Sequence, residues 1–316
     1  MAKTLVQETG LLSALCVQIE RILPRGLKPH WQRFMKYRFL LQELVRKNVR
    51  LQYRGSALGL LWSFVQPLLF ALVLSFVFSA IFKRGDVSGV PYFLYLLSGR
   101  LMFSFYSDAT SSAMRSVRQN SGILKKVYVP KYIYPMSAVV SRFVMFLLSL
   151  PVLVVFMVVF NYVQINDGIS FGHFFTFGYH LRVLYALVPI VILLVFAMGV
   201  GLLLSSISVF FRDTEYIYSV FTQLLMYLTP LFYSPDDIKT SEGLKKILRA
   251  NPLYGLITMF RNVLFYSPGV PDLVANENPF FYSGFQLGYV AFIASVFLIV
   301  GGVVFKLTQD KFILHL

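Results

Sequence analysis

Four stretches of this chain, residues 55–82, 143–166, 183–211 and 281–305, contain no Lys, Arg, Asp or Glu. That feature restricts the fold more than any other. A charge-free apolar segment of about 20 residues, coiled as an α-helix, matches the roughly 30 Å hydrocarbon core of a bilayer. Each of the four is longer than that, so lipid is the solvent this chain requires. The balance of residues agrees: 57% are hydrophobic and only 14% charged, against about 25% charged in a typical soluble domain.

Two less apolar stretches complete the count. Residues 91–114 are apolar apart from Arg100, Asp108 and a few hydroxyls, and residues 216–235 are charge-free but polar and aromatic. Membrane-spanning barrels are built from alternating strands of about 10 residues, a pattern unlike these long blocks. The expectation is an all-α membrane protein with six transmembrane helices, spanning about 56–82, 91–114, 136–163, 183–211, 216–235 and 281–305. Together they form a transmembrane domain over 55–316.

The net charge of +15 is read through its distribution, because Lys and Arg concentrate in cytoplasmic loops. Residues 1–54 carry 11 of them, residues 115–131 carry five, and Lys306 and Lys311 close the tail. All three groups fall on one side of a six-pass chain, which predicts cytosolic termini and needs no nucleic-acid partner. Lys83, Arg84, Arg182 and a basic cluster within 239–261 fall on the opposite side as an exception.

Residues 1–36 read as a basic cytosolic extension, broken by Pro24, Gly26 and Pro29. In 37–54 the apolar Leu40, Leu41, Leu44, Val45, Val49 and Leu51 share one half of a helical wheel, and Arg46, Lys47, Arg50 and Arg54 the other. This is the pattern of an amphipathic interface helix, lying among membrane lipid headgroups. Within the first span Gln66 and Pro67 predict a kink, since proline leaves a carbonyl without its helical donor. Between the fifth and sixth spans, residues 244–249 and 253–265 are apolar but too short to cross, and predict short re-entrant or interfacial helices.

Several chemistries find no support. The chain has no G-x-x-x-x-G-K-[ST] phosphate loop. His30, His173, His180 and His315 are scattered without metal-ligand spacing, so no metal site is expected. With one cysteine, Cys16, no intrachain disulfide can form. A secondary transporter would favour a repeated half, and none is visible. A membrane-embedded glycan-modifying enzyme would want accessible carboxylates, and Asp236, Asp237 and Glu242 read more simply as solvated turn residues.

The run Tyr53-Arg54-Gly55-Ser56-Ala57-Leu58-Gly59-Leu60-Leu61-Trp62-Ser63-Phe64-Val65-Gln66-Pro67-Leu68-Leu69 resembles the ABC-2 type permeases, specifically their polysaccharide and polyol-phosphate exporters. The likeness continues through Tyr95-Leu96-Leu97-Ser98-Gly99, Leu124-Lys125-Lys126-Val127-Tyr128-Val129-Pro130, Phe210-Phe211-Arg212-Asp213, Tyr227-Leu228-Thr229-Pro230-Leu231-Phe232-Tyr233-Ser234-Pro235 and Asn251-Pro252-Leu253. Two departures stand out: Gln66 where Asn is common, and Arg100 where an apolar residue is usual. The resemblance implies a subunit of the bacterial cytoplasmic (inner) membrane that forms a homodimer. It would recruit two copies of a P-loop ATPase, which holds the ATP and Mg, and export a lipid-linked glycan such as an O-antigen, capsule, rhamnan or teichoic acid. No catalytic residue and no cofactor is expected in this chain.

Within that frame the candidate ATPase-coupling residues are Arg46, Lys47 and Arg50 on the interface helix and Leu124, Lys125, Lys126, Val127 and Tyr128 between the second and third spans. Leu124, Val127 and Tyr128 would insert into the motor. Aromatic faces stack on sugar rings, so Trp62, Phe64, Phe103, Tyr106, Tyr227, Phe232 and Tyr233 are candidates to line the translocation path. Arg100 joins them. It lies roughly 13 Å inside the second span, where insertion scales put an arginine's cost at about 2.5 to 3.5 kcal/mol, and so it should face protein or a water-filled path holding a pyrophosphate or a carboxylate. Asp108 and Arg142 sit at matching depths on antiparallel spans, which predicts an intramembrane ion pair.

Overall fold

The computed structural model describes residues 36–52, 54–56, 59–82, 90–126, 129–166, 184–233, 248, 250–265 and 284–312. Among them the regular structure is helical: α1 (Arg38–Gln52), α2 (Trp62–Phe82), α3 (Tyr92–Gln119), the single turn α4 (Ser121–Leu124), α5 (Ile133–Asn166), α6 (Leu187–Phe210), α7 (Thr214–Leu228), α8 (Pro252–Phe265) and α9 (Gly284–Thr308). The extension over 1–35 and the piece 244–249, apart from Leu248, lie outside the described residues.

Among the described residues three helical segments are long and apolar enough to cross a membrane: Ile133–Val158 of α5, Leu187–Phe210, and Gln286–Lys311, which is α9 with a terminal 3-10 turn. In α2 the apolar part is shorter, Trp62–Val77. α3 has 28 residues, about 42 Å at helical rise, and qualifies by length rather than apolarity.

The fifth expected span requires correction. Residues 216–235 do not form one crossing helix: α7 has 15 residues, about 22 Å, and stops at Leu228. Thr229 turns extended at φ −99°, ψ 139° because Pro230 follows it, and a residue before proline is pushed out of the helical region. Proline has no N–H to continue the ladder either.

α3 is the hub, packed against α5, α6, α2, α8 and α7. The most extensive helix pair is α6 with α9. Two glycines set their separation: a Cβ on Gly199 would overlap the Leu298 amide and lie 2.5 Å from the Phe297 carbonyl carbon, and a Cβ on Gly301 would strike the Gly199 carbonyl. Small residues at a crossing let backbones touch, which is how helices gain packing where lipid supplies no hydrophobic drive. Between α1 and α2 the chain turns on Gly55, φ 82°, a left-handed conformation that glycine adopts without steric cost.

One end of the bundle is fixed by a separate apolar cluster of Leu44, Val117, Leu124, Ile133, Val209 and Phe312, with others around them. These residues come from α1, the end of α3, α4, the start of α5, the end of α6 and the turn after α9. Both ends of the described chain therefore meet at this basic end. Lys131 Nζ donates to the Gln309 carbonyl across it at 2.5 Å.

Candidate functional site

Arg100, Ser104, Asp108, Ser112, Arg115 and Gln119 recur at intervals of three and four residues along α3, so they share one helical face. Over 19 residues that face runs about 28 Å. Two cavities lie along it. One of about 130 Å³ is lined by Arg100, Asp108, Ser63, Gln66 and Pro67, and by Arg142 of α5. The other, about 550 Å³, opens toward α1 and is lined by Asn48, Arg115, Gln119 and Ser141. Gln52, Asp108 and Arg142 border both, so the two cavities adjoin and make a partly polar groove that leads from the basic end into the bundle. Pro67 helps to shape it: the proline cannot donate to the Ser63 carbonyl, and polar helix interruptions persist where they border a cavity.

The groove corrects the expected Asp108–Arg142 ion pair. The depths match, but no salt bridge joins the two among the described residues. Arg142 Nε donates to Ser112 Oγ at 2.9 Å, and Asp108 accepts a long 3.5 Å contact from Ser104 Oγ. Both residues border the cavity instead. Arg100 is half-buried, with its guanidinium 4.3 Å from the centre of the Phe70 ring and one N–H directed at Met226 Sδ, 3.7 Å away.

At the opposite end Arg261 organises a second polar cluster. It is only 2% exposed. Its NH1 donates to the Pro230 carbonyl at 2.5 Å, its NH2 to the carbonyls of Tyr95 at 2.8 Å and Leu231 at 3.3 Å, and its Nε to Ser98 Oγ at 3.4 Å. The guanidinium stacks 3.5 Å from the centre of the Tyr95 ring. Gly99 leaves the space, since a Cβ there would overlap the guanidinium. Tyr92 and Tyr95 hydroxyls donate to the carbonyls of Phe232 and Tyr233, each at 2.8 Å, and Asn251 Nδ2 donates to Thr229 Oγ1 at 3.1 Å. Every carbonyl from 230 to 233 thus has a side-chain donor, which replaces the helical bonds lost when α7 ends. Three of the sequence stretches quoted above, around Tyr95, Thr229 and Asn251, converge here.

The aromatic candidates divide. Trp62 and Tyr227 are exposed on the protomer, and Phe64, Phe232 and Tyr233 are half-buried. Phe103 and Tyr106 are each 3% exposed, with Tyr106 stacked on Phe196. As core residues, these two leave the expected path of a single protomer.

At the basic end Arg46, Lys47 and Arg50 are exposed on α1, and Lys125 and Lys126 are exposed after α4. Arg46 pairs with Glu43 at 2.9 Å. Leu124 departs from expectation: it is buried in the chain's own apolar cluster and is not free to insert elsewhere. Val127 and Tyr128 lie outside the described residues.

Two partners were missed in the sequence. Glu215, in the first turn of α7, pairs with Arg115 at 3.3 Å and also with Arg118. Burial, with Arg212 and Arg115 nearby, holds the Arg118 guanidinium below its ordinary value. Arg261 was counted only among the basic residues of the far side. Its signal was the one charged residue in a largely apolar helix.

The profile of the ABC-2 type transporter family matches residues 40–265. The O-antigen export system permease protein RfbA of Myxococcus xanthus is 30% identical over 239 residues, which is 75% of this chain and 84% of the relative. A Klebsiella pneumoniae protein of the same description is 29% identical over 226 residues, 71% of this chain and 79% of the relative. The capsule polysaccharide export inner-membrane protein CtrC of Neisseria meningitidis serogroup A is 22% identical over 238 residues, 75% of this chain and 82% of the relative.

Proposed function

Because the chain belongs to the ABC-2 type transporter family, we propose that it is the membrane subunit of an exporter moving a lipid-linked polysaccharide outward across the bacterial cytoplasmic membrane. Two copies of the chain work with two copies of a separate P-loop ATPase, which binds ATP and Mg. The observation carrying this reading is the match over most of the chain to relatives described as O-antigen and capsule export proteins. Six passes with both termini cytosolic, the fifth made by α7 together with the chain that follows it rather than by one full-length helix, fit the meeting of the described ends at the basic end of the bundle.

The exposed basic residues Arg46, Lys47, Arg50, Lys125 and Lys126 surround the face that receives the ATPase, and Tyr128 supplies its buried anchor. A second copy covers the apolar face of α7, where Ile217, Val220, Leu224 and Tyr227 are each more than half exposed. The polymer passes between the two copies, past Trp62 and Tyr227. Nucleotide-driven motion enters at the basic end and travels along α3, which reaches both polar clusters.

Co-purification tests the assembly. The tagged chain should retain a P-loop ATPase. Because buried aromatics dominate interface energies, Tyr128→Ala should lower that retention and uncouple hydrolysis from export more than Lys125→Ala does. A chain that retains no ATPase, with export intact, removes this reading.

A further inference from the structure

The residues that the reading above sets against the ATPase are held from both sides by one cluster at the basic end. On one side Leu124, 6% exposed, is packed in the cluster that Phe312 completes. On the other, Val129 and Tyr132 pack against the same cluster. Lys131 reaches from there to the turn after α9, where its Nζ donates to the Gln309 carbonyl and lies 5.8 Å from the centre of the Phe312 ring. Lys131 and Gln309 are 178 residues apart, so the contact is made by the fold. Only residues 125–128 stand between the anchors, and Lys125 and Lys126 among them are exposed. The 3-10 turn Gln309–Lys311 seats Phe312 with no exposure. Its ring meets Phe305 of α9 and Phe210 at the end of α6 edge-on, with centroids 5.3 and 5.9 Å away. The Phe312 N–H donates to the same Gln309 carbonyl that accepts from Lys131, using both of that oxygen's lone pairs. One atom therefore seats the ring and grips the lysine. Apolar packing alone would require neither a lysine nor its donor.

We propose that Lys131 and Phe312 are positioning residues for coupling to the ATPase: the turn after α9 pins both ends of the segment 125–128 and presents it to the motor already ordered. A pinned segment loses less conformational freedom on binding. Force applied to it passes to α6 and α9 through the Phe210 and Phe305 contacts. α4 reports the state of the pin, because a single turn is too short to hold itself. Its backbone bonds, Leu124 N–H to the Asn120 carbonyl at 3.1 Å and Lys125 N–H to the Ser121 carbonyl at 3.1 Å, depend on the seating of Leu124. This inference rests on the membrane-subunit reading above and adds to it the part of the chain that holds the receiving segment.

The test has two arms on the purified full chain in phosphatidylcholine nanodiscs. The first, hydrogen–deuterium exchange without ATPase, reads the pin by itself. Lys131→Met keeps an apolar stem and removes the donor and the charge. It should speed exchange at the α4 amides and at Phe312 by at least about fivefold, the scale of one hydrogen bond from a charged group, while residues 100–110 of α3 exchange as in the native chain. Lys131→Arg, which keeps a charged donor, should stay within about twofold. Lys306→Met, at an exposed lysine of α9, should change nothing. Phe312→Leu, which keeps an apolar side chain but loses the ring, should act in the direction of Lys131→Met. The second arm titrates the co-purifying ATPase. Lys131→Met should need about fivefold more of it for half-maximal complex, since the ordering is now lost on binding, with a melting temperature within about 3 °C of the native value. A merely structural lysine would move the melting temperature and leave the titration alone. Native exchange at α4 in both the Lys131→Met and Phe312→Leu chains overturns the pin, whether or not the ATPase binds. Faster exchange with an unshifted titration overturns the positioning role. A native chain that binds no ATPase overturns the membrane-subunit reading and this role with it, and is told from the other failures by the exchange arm.

Discussion

Replacing Arg261 with Met removes the one side chain that serves the carbonyls of Tyr95, Pro230 and Leu231 together. Methionine fills much of the volume, so the loss is chiefly polar. Hydrogen bonds in membrane proteins average about 0.6 kcal/mol each by double-mutant cycles, which puts three bonds near 2 kcal/mol as a lower figure. Breaking a buried charged contact in a soluble interior costs about 3 to 5 kcal/mol. The loss should fall between, at about 2 to 5 kcal/mol, and appear as a fall of several degrees in the melting temperature of the detergent-purified chain. Arg261→Lys keeps the charge but not the planar fork and should recover less than half of it. Gly99→Leu, which intrudes on the guanidinium, should lose a comparable amount with Arg261 present. A Met variant melting within about 1 °C of the native chain, or full recovery by Lys, would refute this account of the cluster.

Gly199→Leu should force α6 and α9 apart and cost at least about 1 to 3 kcal/mol by overpacking, read as reduced folded yield and melting temperature, whereas Gly302→Leu, with open space at its Cβ, should cost far less. Asp108→Asn, Arg142→Gln and the double variant should give a coupling below about 1 kcal/mol by thermal unfolding, because the two groups do not touch; a larger value would mean that they close into a direct pair. Glu215→Gln frees Arg115 and Arg118 at a partly exposed site, so its stability cost should stay within about 1 kcal/mol and shrink with added salt.

Much of the fold was legible because bilayer thickness imposes a length rule: α5, α6 and α9 follow directly from charge-free runs. α7 was not, since charge counting reads through residues 229–233, whereas the backbone there is decided by Pro230 and by donors from distant helices. α3 hid its main feature in the same way. Arg100 was seen as a lone charge and Asp108 only as a partner for Arg142, although Ser104, Ser112, Arg115 and Gln119 continue them at helical spacing and make a groove wall. Matching depths along antiparallel spans placed Asp108 and Arg142 on one cavity, but depth says nothing of lateral distance. Leu124 and Tyr106 were assigned outward roles from residue type alone, and burial against other elements is a tertiary property that type does not carry. Arg261 was legible as an anomaly and not as an organiser, because its partners lie 30 to 166 residues away.

The most direct test of the central claim is transport by the chain reconstituted with its co-purifying ATPase in proteoliposomes, scored as lipid-linked glycan that becomes inaccessible to an external glycosidase. ATP supplied on the ATPase face should drive accumulation, a non-hydrolysable analogue should not, and liposomes lacking either subunit should show none. Accumulation by this chain alone, driven by an ion gradient and indifferent to ATP, would contradict the account and point to a secondary transporter.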